Sequence, residues 1–188
     1  VDRPTSVGRA LPTFEAKCVD GQGNTVPTGE PGELWVRGAC VIKGYLNRPE
    51  ATAETITDGW LHTGDIAYMD EDAFIHLVDR AKEMVLRGGE NVYCAEVESA
   101  IFADDAVAEC VVFGVEDERL GEEVAAAIYP KTGASVDVDQ LRMSLRDKMA
   151  SYKIPRYIWV VDAPLPRNAN GKFVKREVRD ALSLADAV

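Results

Sequence analysis

Along the first part of the chain, short apolar runs are broken at close intervals by turn residues: Asp20-Gly21-Gln22-Gly23-Asn24, Pro27 through Gly32, and Asp58-Gly59. The runs between them, residues 14–19, 33–37 and 66–69, predict strands of a small β-rich unit. β-Branched and aromatic residues suit a pleated surface, while Gly, Pro, Asn and Asp suit its turns. Arg48-Pro49-Glu50 through Thr55 predicts a short helix with proline in its first turn, where a missing N–H is tolerated.

After Asp79 the pattern changes to alternating strands and helices. Residues 84–87 and 91–93 flank a Gly88-Gly89 turn, and a helix is expected from about Ala95 to Phe102, with Glu96 and Glu98 near its positive end. Residues 107–115 and 123–129 have the β-branched content and length of buried strands. From Asp137, the apolar residues Val138, Leu141, Leu145 and Met149 recur at helical spacing, with Asp137 and Gln140 as a variant of the capping box. A strand at 157–161 and a closing helix at 174–184 complete a compact α+β unit that begins near Arg80. The fold class expected is therefore α+β: a small β-rich subdomain over residues 1–79, then a compact α+β domain over 80–188.

With 188 residues, 46% hydrophobic and 28% charged, the chain can bury one ordinary core or two small ones. Its net charge of −11 argues against a nucleic-acid or anionic-membrane surface, because phosphate binding needs clustered Lys and Arg. Local cations such as Arg80, Lys82, Arg87 and Lys172 still suffice for one phosphorylated ligand. Cysteines 18, 40, 94 and 110 form no Cys-x-x-Cys pair, so reduced, largely buried thiols are expected, and the two histidines belong to no metal-ligand cluster. No apolar run approaches the roughly 20 residues of a membrane span, and no signal-like start is visible. A cytoplasmic protein is the expectation.

Four stretches admit chemistry. Lys172 follows Asn170-Gly171, a two-residue hairpin signal. It reads either as a solvated lysine or as a cation held into a cleft at the end of a proline-bounded loop, where it stabilises charge developing on a nucleotide α-phosphate. Thr63-Gly64-Asp65 reads as a turn between strands, or as a carboxylate that accepts both hydroxyls of a ribose. Arg80 and Lys82 mark the change of composition between the two units and read as a solvated linker. Gly88-Gly89 is a turn that also leaves room for a thin ligand near the backbone.

Taken in order, Gly32-Glu33-Leu34-Trp35-Val36-Arg37-Gly38, Gly44-Tyr45, Trp60-Leu61-His62-Thr63-Gly64-Asp65, Asp79-Arg80-Ala81-Lys82-Glu83, Arg87 through Val92, Glu96-Val97-Glu98, Tyr152-Lys153-Ile154-Pro155 and Pro166 through Lys172 resemble the carboxyl-terminal part of the adenylate-forming acyl- and aryl-CoA synthetases. The resemblance covers nearly the whole chain. It implies that residues 1–79 are the last β-rich subdomain, a distorted barrel, of a large N-terminal AMP-binding domain, and that residues 80–188 are the mobile C-terminal domain. It further implies that Asp65 binds the AMP ribose with Arg80 close to the same hydroxyls, and that Lys172 bridges acyl carboxylate and α-phosphate. Lys82 would be the hinge of a rotation that brings Gly88, Gly89 and Glu90 to the pantetheine channel of coenzyme A.

The implied substrates are a carboxylic acid, ATP and CoA, with the Mg²⁺ ligand expected in the missing N-terminal part. A medium- or long-chain fatty acid is the preferred acid, and aryl acids come next. The sequence contains no Ser/Thr/Gly-rich loop ending in Lys for the β- and γ-phosphates and no upstream Thr-Glu block. The chain is therefore expected to be a piece of a longer enzyme, inactive alone, whose partner is the missing N-terminal domain. Within the superfamily the alternatives are an amino-acid-activating domain of a peptide synthetase and a luciferase-like oxygenase. Outside catalysis, a naturally short binding module remains open.

Overall fold

The computed structural model describes residues 3–188. The chain divides into two compact units, one ending at Lys82 and the other running Glu83–Val188. This division lies within three residues of the boundary expected after Asp79.

In the first unit, β1 (Phe14–Val19), β2 (Gly32–Gly38), β3 (Ile56–Thr57), β4 (Trp60–Met69) and β5 (Ile75–Arg80) form one curled antiparallel sheet, with α1 (Pro49–Thr55) before β3. The ten-residue β4 is its axis, pairing with β2 over residues 61–67, with β3 at 60–61 and with β5 over 65–69. Its core is small: Cys18, Leu34, Ala67 and Ile75 are buried, with Val36 and Met69 packed against them. Strand β5 carries Ile75 and His76 buried next to Leu77 exposed, so it lacks clean alternation and gives no period-2 signal.

In the second unit, a hairpin of β6 (Val85–Arg87) and β7 (Glu90–Val92) leads into α2 (Cys94–Ile101). The long antiparallel pair β8 (Val107–Asp117) and β9 (Gly121–Pro130) follows, then α3 (Val138–Arg146), β10 (Tyr157–Val160) parallel to β9, and α4 (Lys175–Ala181). Residue parity divides the central strands. Cys110, Val112, Val124, Ala126 and Ile128 face a core closed by Val97 and Ile101 of α2 and Leu141 and Leu145 of α3. Val111, Phe113, Val115, Ala125 and Ala127 face the other way, onto Trp159, Leu165 and Val178 of α4. Burial on both faces explains why β8 and β9 read as nearly unbroken apolar runs.

Asp137 caps α3, its side chain accepting from the Asp139 and Gln140 amides. The closing helix expected at 174–184 is shorter, because Leu182 is extended and Ser183 caps a separate short turn at 184–186. Of the four cysteines, 18, 94 and 110 are buried, in line with largely buried thiols, and Cys40 is exposed in the turn after β2. Burial pushes the Cys18 and Cys110 thiols up, assisted at Cys110 by the Glu98 carboxylate.

Candidate functional site

Thr63-Gly64-Asp65 is not a turn between strands. It lies inside β4 as a bulge: Glu33 opposes Ile66 and Trp35 opposes His62, so three residues of β4 face Leu34 alone. Side chains satisfy the groups this expels from the ladder. Thr63 Oγ1 donates to the Leu34 carbonyl at 2.7 Å and accepts from the Asp65 amide at 3.1 Å, while the Gly64 amide donates to Glu33 Oε1 at 3.1 Å. Glu33 Oε2 accepts from Trp35 Nε1 at 2.8 Å, and the Trp35 ring stacks on His62 at 3.9 Å. Bulges of this kind re-aim a side chain, and here the side chain is Asp65.

Arg80 is the last residue of β5, not a linker residue. It sits directly opposite Asp65, and its Nε lies 2.8 Å from Asp65 Oδ1, with the carboxylate half-buried and the guanidinium more exposed. The Ala81 amide donates to the Gly64 carbonyl at 2.9 Å, which extends the pairing past the strand end. Lys82 follows in a turn with its side chain exposed. Sequence reasoning missed Glu33 and Thr63, which hold the bulge. Glu33 was legible only as an ordinary strand residue, because its partner is 31 positions away.

In the second unit, Gly88 and Gly89 form the two-residue loop of the β6–β7 hairpin, with Arg87 opposite Glu90. Their φ values are +60° and +90°, the left-handed pair that a tight hairpin turn of this twist demands. The Gly88 amide donates to the Leu120 carbonyl at 2.8 Å, and Glu90 is exposed. Behind this turn, the buried Glu123 carboxylate on β9 is gripped by Arg87, whose Nε meets Oε1 and whose Nη2 donates to Oε2 at 3.0 Å.

Lys172 is presented by a different turn from the expected one. Asn170 does not have a positive φ, Gly171 does at +80°, and Arg167 bridges to Phe173. The Asn168 amide donates to the Lys172 carbonyl at 2.9 Å and the Gly171 amide to the Asn168 carbonyl at 2.9 Å, so the loop is three residues, 169–171, closed by a left-handed glycine. Asn168 Oδ1 stabilises it by accepting from the amides of Asn170 and Lys172, each at 3.0 Å. The side-chain acceptor at Asn168 selects this turn over the simpler Asn-Gly one. Lys172 is exposed and enters no ion pair among the described residues.

The sequence and the fold are similar to those of known proteins. Residues 96–172 match the AMP-binding enzyme C-terminal domain and residues 1–46 match the AMP-binding enzyme family. The fold overlays o-succinylbenzoate CoA synthetase from Bacillus subtilis, in complex with its acyl-adenylate intermediate, with a TM-score of 0.84 and 36% identity over 95% of this chain and 36% of that one. The chain belongs to the adenylate-forming enzymes. Among curated members, it is 44% identical over 171 residues to a feruloyl-CoA synthase of Amycolatopsis sp, covering 90% of this chain and 35% of that protein. It is 43% identical over 175 residues to a long-chain-fatty-acid–CoA ligase of Yersinia pestis, covering 93% and 31% respectively. The chain therefore spans about a third of the length of these adenylate-forming relatives. No helix among the described residues is long and apolar enough to cross a membrane.

Proposed function

We propose that this chain supplies the C-terminal part of an AMP-forming acid–CoA ligase. In the first half-reaction a carboxylate oxygen attacks the α-phosphorus of ATP, the bond to the bridging oxygen breaks, and pyrophosphate leaves an acyl-adenylate. In the second, the thiol of CoA attacks the acyl carbon, loses its proton, and displaces AMP to give a thioester. The observation that carries this reading is the Asp65–Arg80 pair, set face to face across two strands beside a bulge that aims the carboxylate.

In this reading Asp65 accepts the ribose hydroxyls of AMP, and Arg80 orients the carboxylate while lying near the same hydroxyls. Lys172, on its closed turn, neutralises charge developing between acyl carboxylate and α-phosphate. Residues 1–79 form the end of a large N-terminal domain and residues 80–188 a mobile C-terminal domain. Lys82, in the turn between β5 and β6, is the hinge that swaps Lys172 for the Gly88-Gly89-Glu90 turn at the pantetheine. Among the described residues no cluster of His, Cys, Asp and Glu could hold Mg²⁺, and this reading assigns its ligands to the upstream domain. A cytoplasmic location goes with ATP and CoA as co-substrates.

The acid proposed first is a medium- or long-chain fatty acid, in line with the Yersinia pestis relative. An aryl acid is the competing choice, favoured by the feruloyl-CoA synthase. Pyrophosphate release and thioester formation by the full-length protein, measured across a panel of both acid classes, test the assignment; no ATP-dependent activation of any acid would refute it. Lys172→Ala is expected to abolish adenylate formation while leaving pre-made acyl-adenylate convertible to thioester. Lys82→Pro, which restricts φ at the turn, is expected to do the reverse. Equal loss of both steps in either variant contradicts the role given to that residue.

A further inference from the structure

The segment that carries Lys172 leaves and rejoins the second unit on one strand. At its start, Glu109 of β8 accepts from the Leu165 amide through Oε2 at 2.8 Å and from Arg167 Nη2 through Oε1 at 3.1 Å. At its end, Lys175 Nζ donates to the carbonyl of Val112, also on β8, at 3.0 Å, and pairs with Glu98 at 2.9 Å and Glu83 at 3.0 Å. Leu165 and Val178 are buried in one cluster with Val111 and Phe113. Around the 169–171 loop, residues 167–172 are exposed.

Arg167 connects that exposed stretch to the anchor. Its Nη1 donates to the Gly171 carbonyl at 2.7 Å, the peptide group that leads directly into Lys172. The guanidinium centre also lies 3.8 Å from the centroid of the Phe173 ring, on the far side of Lys172 in sequence. One planar cation therefore touches a strand carboxylate, the peptide before Lys172 and the ring after it. An ordinary surface ion pair contributes little, but this one shares its carboxylate with a backbone amide and spends its second nitrogen on a carbonyl. A lysine has one nitrogen and no flat face, so it cannot make the same three contacts.

We propose that Arg167, held by Glu109, is the positioning residue for Lys172: it fixes the turn from which that lysine reaches the reacting phosphate. The proposal rests on the role given to Lys172 above. Neither Arg167 nor Glu109 meets substrate. Their loss therefore lowers the rate of a step that needs Lys172 in place and leaves substrate affinity and the other half-reaction alone.

The test has two arms. In the full chain, hydrogen exchange at the Gly171 and Lys172 amides should accelerate about tenfold in Arg167→Ala and in Glu109→Gln, the factor expected for one lost hydrogen bond, with α2 amides unchanged as the control for folding. In the full-length protein, both variants should lose about 100-fold in kcat for adenylate formation, with KM for the acid and thioester formation from pre-made acyl-adenylate unaltered. Arg167→Lys should recover only a small part of that loss. Unchanged exchange at Gly171 and Lys172 overturns the proposal, as does faster exchange with full adenylation, or equal loss in both half-reactions. If the unsubstituted protein activates no acid, the ligase assignment falls on its own, and the exchange arm still decides whether Arg167 holds the turn.

Discussion

Glu123→Gln tests how the Gly88-Gly89 turn is supported. The Glu123 side chain is 1% exposed, and its two oxygens receive Arg87 through two nitrogens and the Val124 amide at 3.0 Å, with Arg156 Nη1 at 3.8 Å. Glutamine keeps one acceptor but turns an amide N–H₂ toward the guanidinium, so a charge-assisted contact is lost and Arg87 keeps a cation with no counterion at full contact. Breaking one partner of a buried pair costs about 3 to 5 kcal/mol. The Arg87 side chain is 25% exposed and water can relieve part of its charge, so the lower end applies, about 3 kcal/mol.

The assay is native-state hydrogen exchange at the Val124, Ala125 and Ala126 amides of β9, which open with the second unit, read against amides of β4 in the first. Because 1.4 kcal/mol is tenfold, the β9 amides should exchange about 100-fold faster while those of β4 do not change. The paired replacement Arg87→Met with Glu123→Leu should restore much of the loss, since no unpaired charge is then buried. A loss below about 0.5 kcal/mol in Glu123→Gln, at the level of a neutral surface change, would refute the reasoning. So would a double variant that loses the sum of its parts.

Two further outcomes follow from single side chains. Asp137→Ala removes the acceptor for two amides at the start of α3 and should destabilise the second unit by about 1 kcal/mol, visible as a lower denaturation midpoint with an unchanged slope. At Lys175 burial opposes the charged form, yet the Cys94 sulfur, Glu98 and Glu83 together outweigh it and hold the ammonium above the ordinary lysine value of 10.5. A folded-state value raised in this way stabilises fully below the ordinary value and is lost as pH rises toward the raised one. The stability of wild type relative to Lys175→Met should therefore be constant up to about pH 10 and shrink above it; a difference that grows with pH would contradict the pairing.

The sequence by itself determined most elements and the resemblance. Val138, Leu141 and Leu145 at helical spacing placed α3, and the β-branched runs placed β8 and β9, because local periodicity reports which face is buried. Asp65, Arg80, Lys82, Gly88, Gly89, Glu90 and Lys172 were legible as candidates because each stands in a short contiguous motif. Tertiary structure alone decided what those motifs are physically. Thr63-Gly64-Asp65 became a bulge rather than a turn because Glu33 and Leu34, on another strand, take up its polar groups. Asn170-Gly171 gave way to a three-residue loop because the Asn168 side chain bonds two amides and Arg167 bonds the Gly171 carbonyl. The anchors Glu109, Glu123 and Lys175 stayed hidden for the same reason. Their partners lie tens of residues away, and a contact of that separation leaves no period in the chain that makes it.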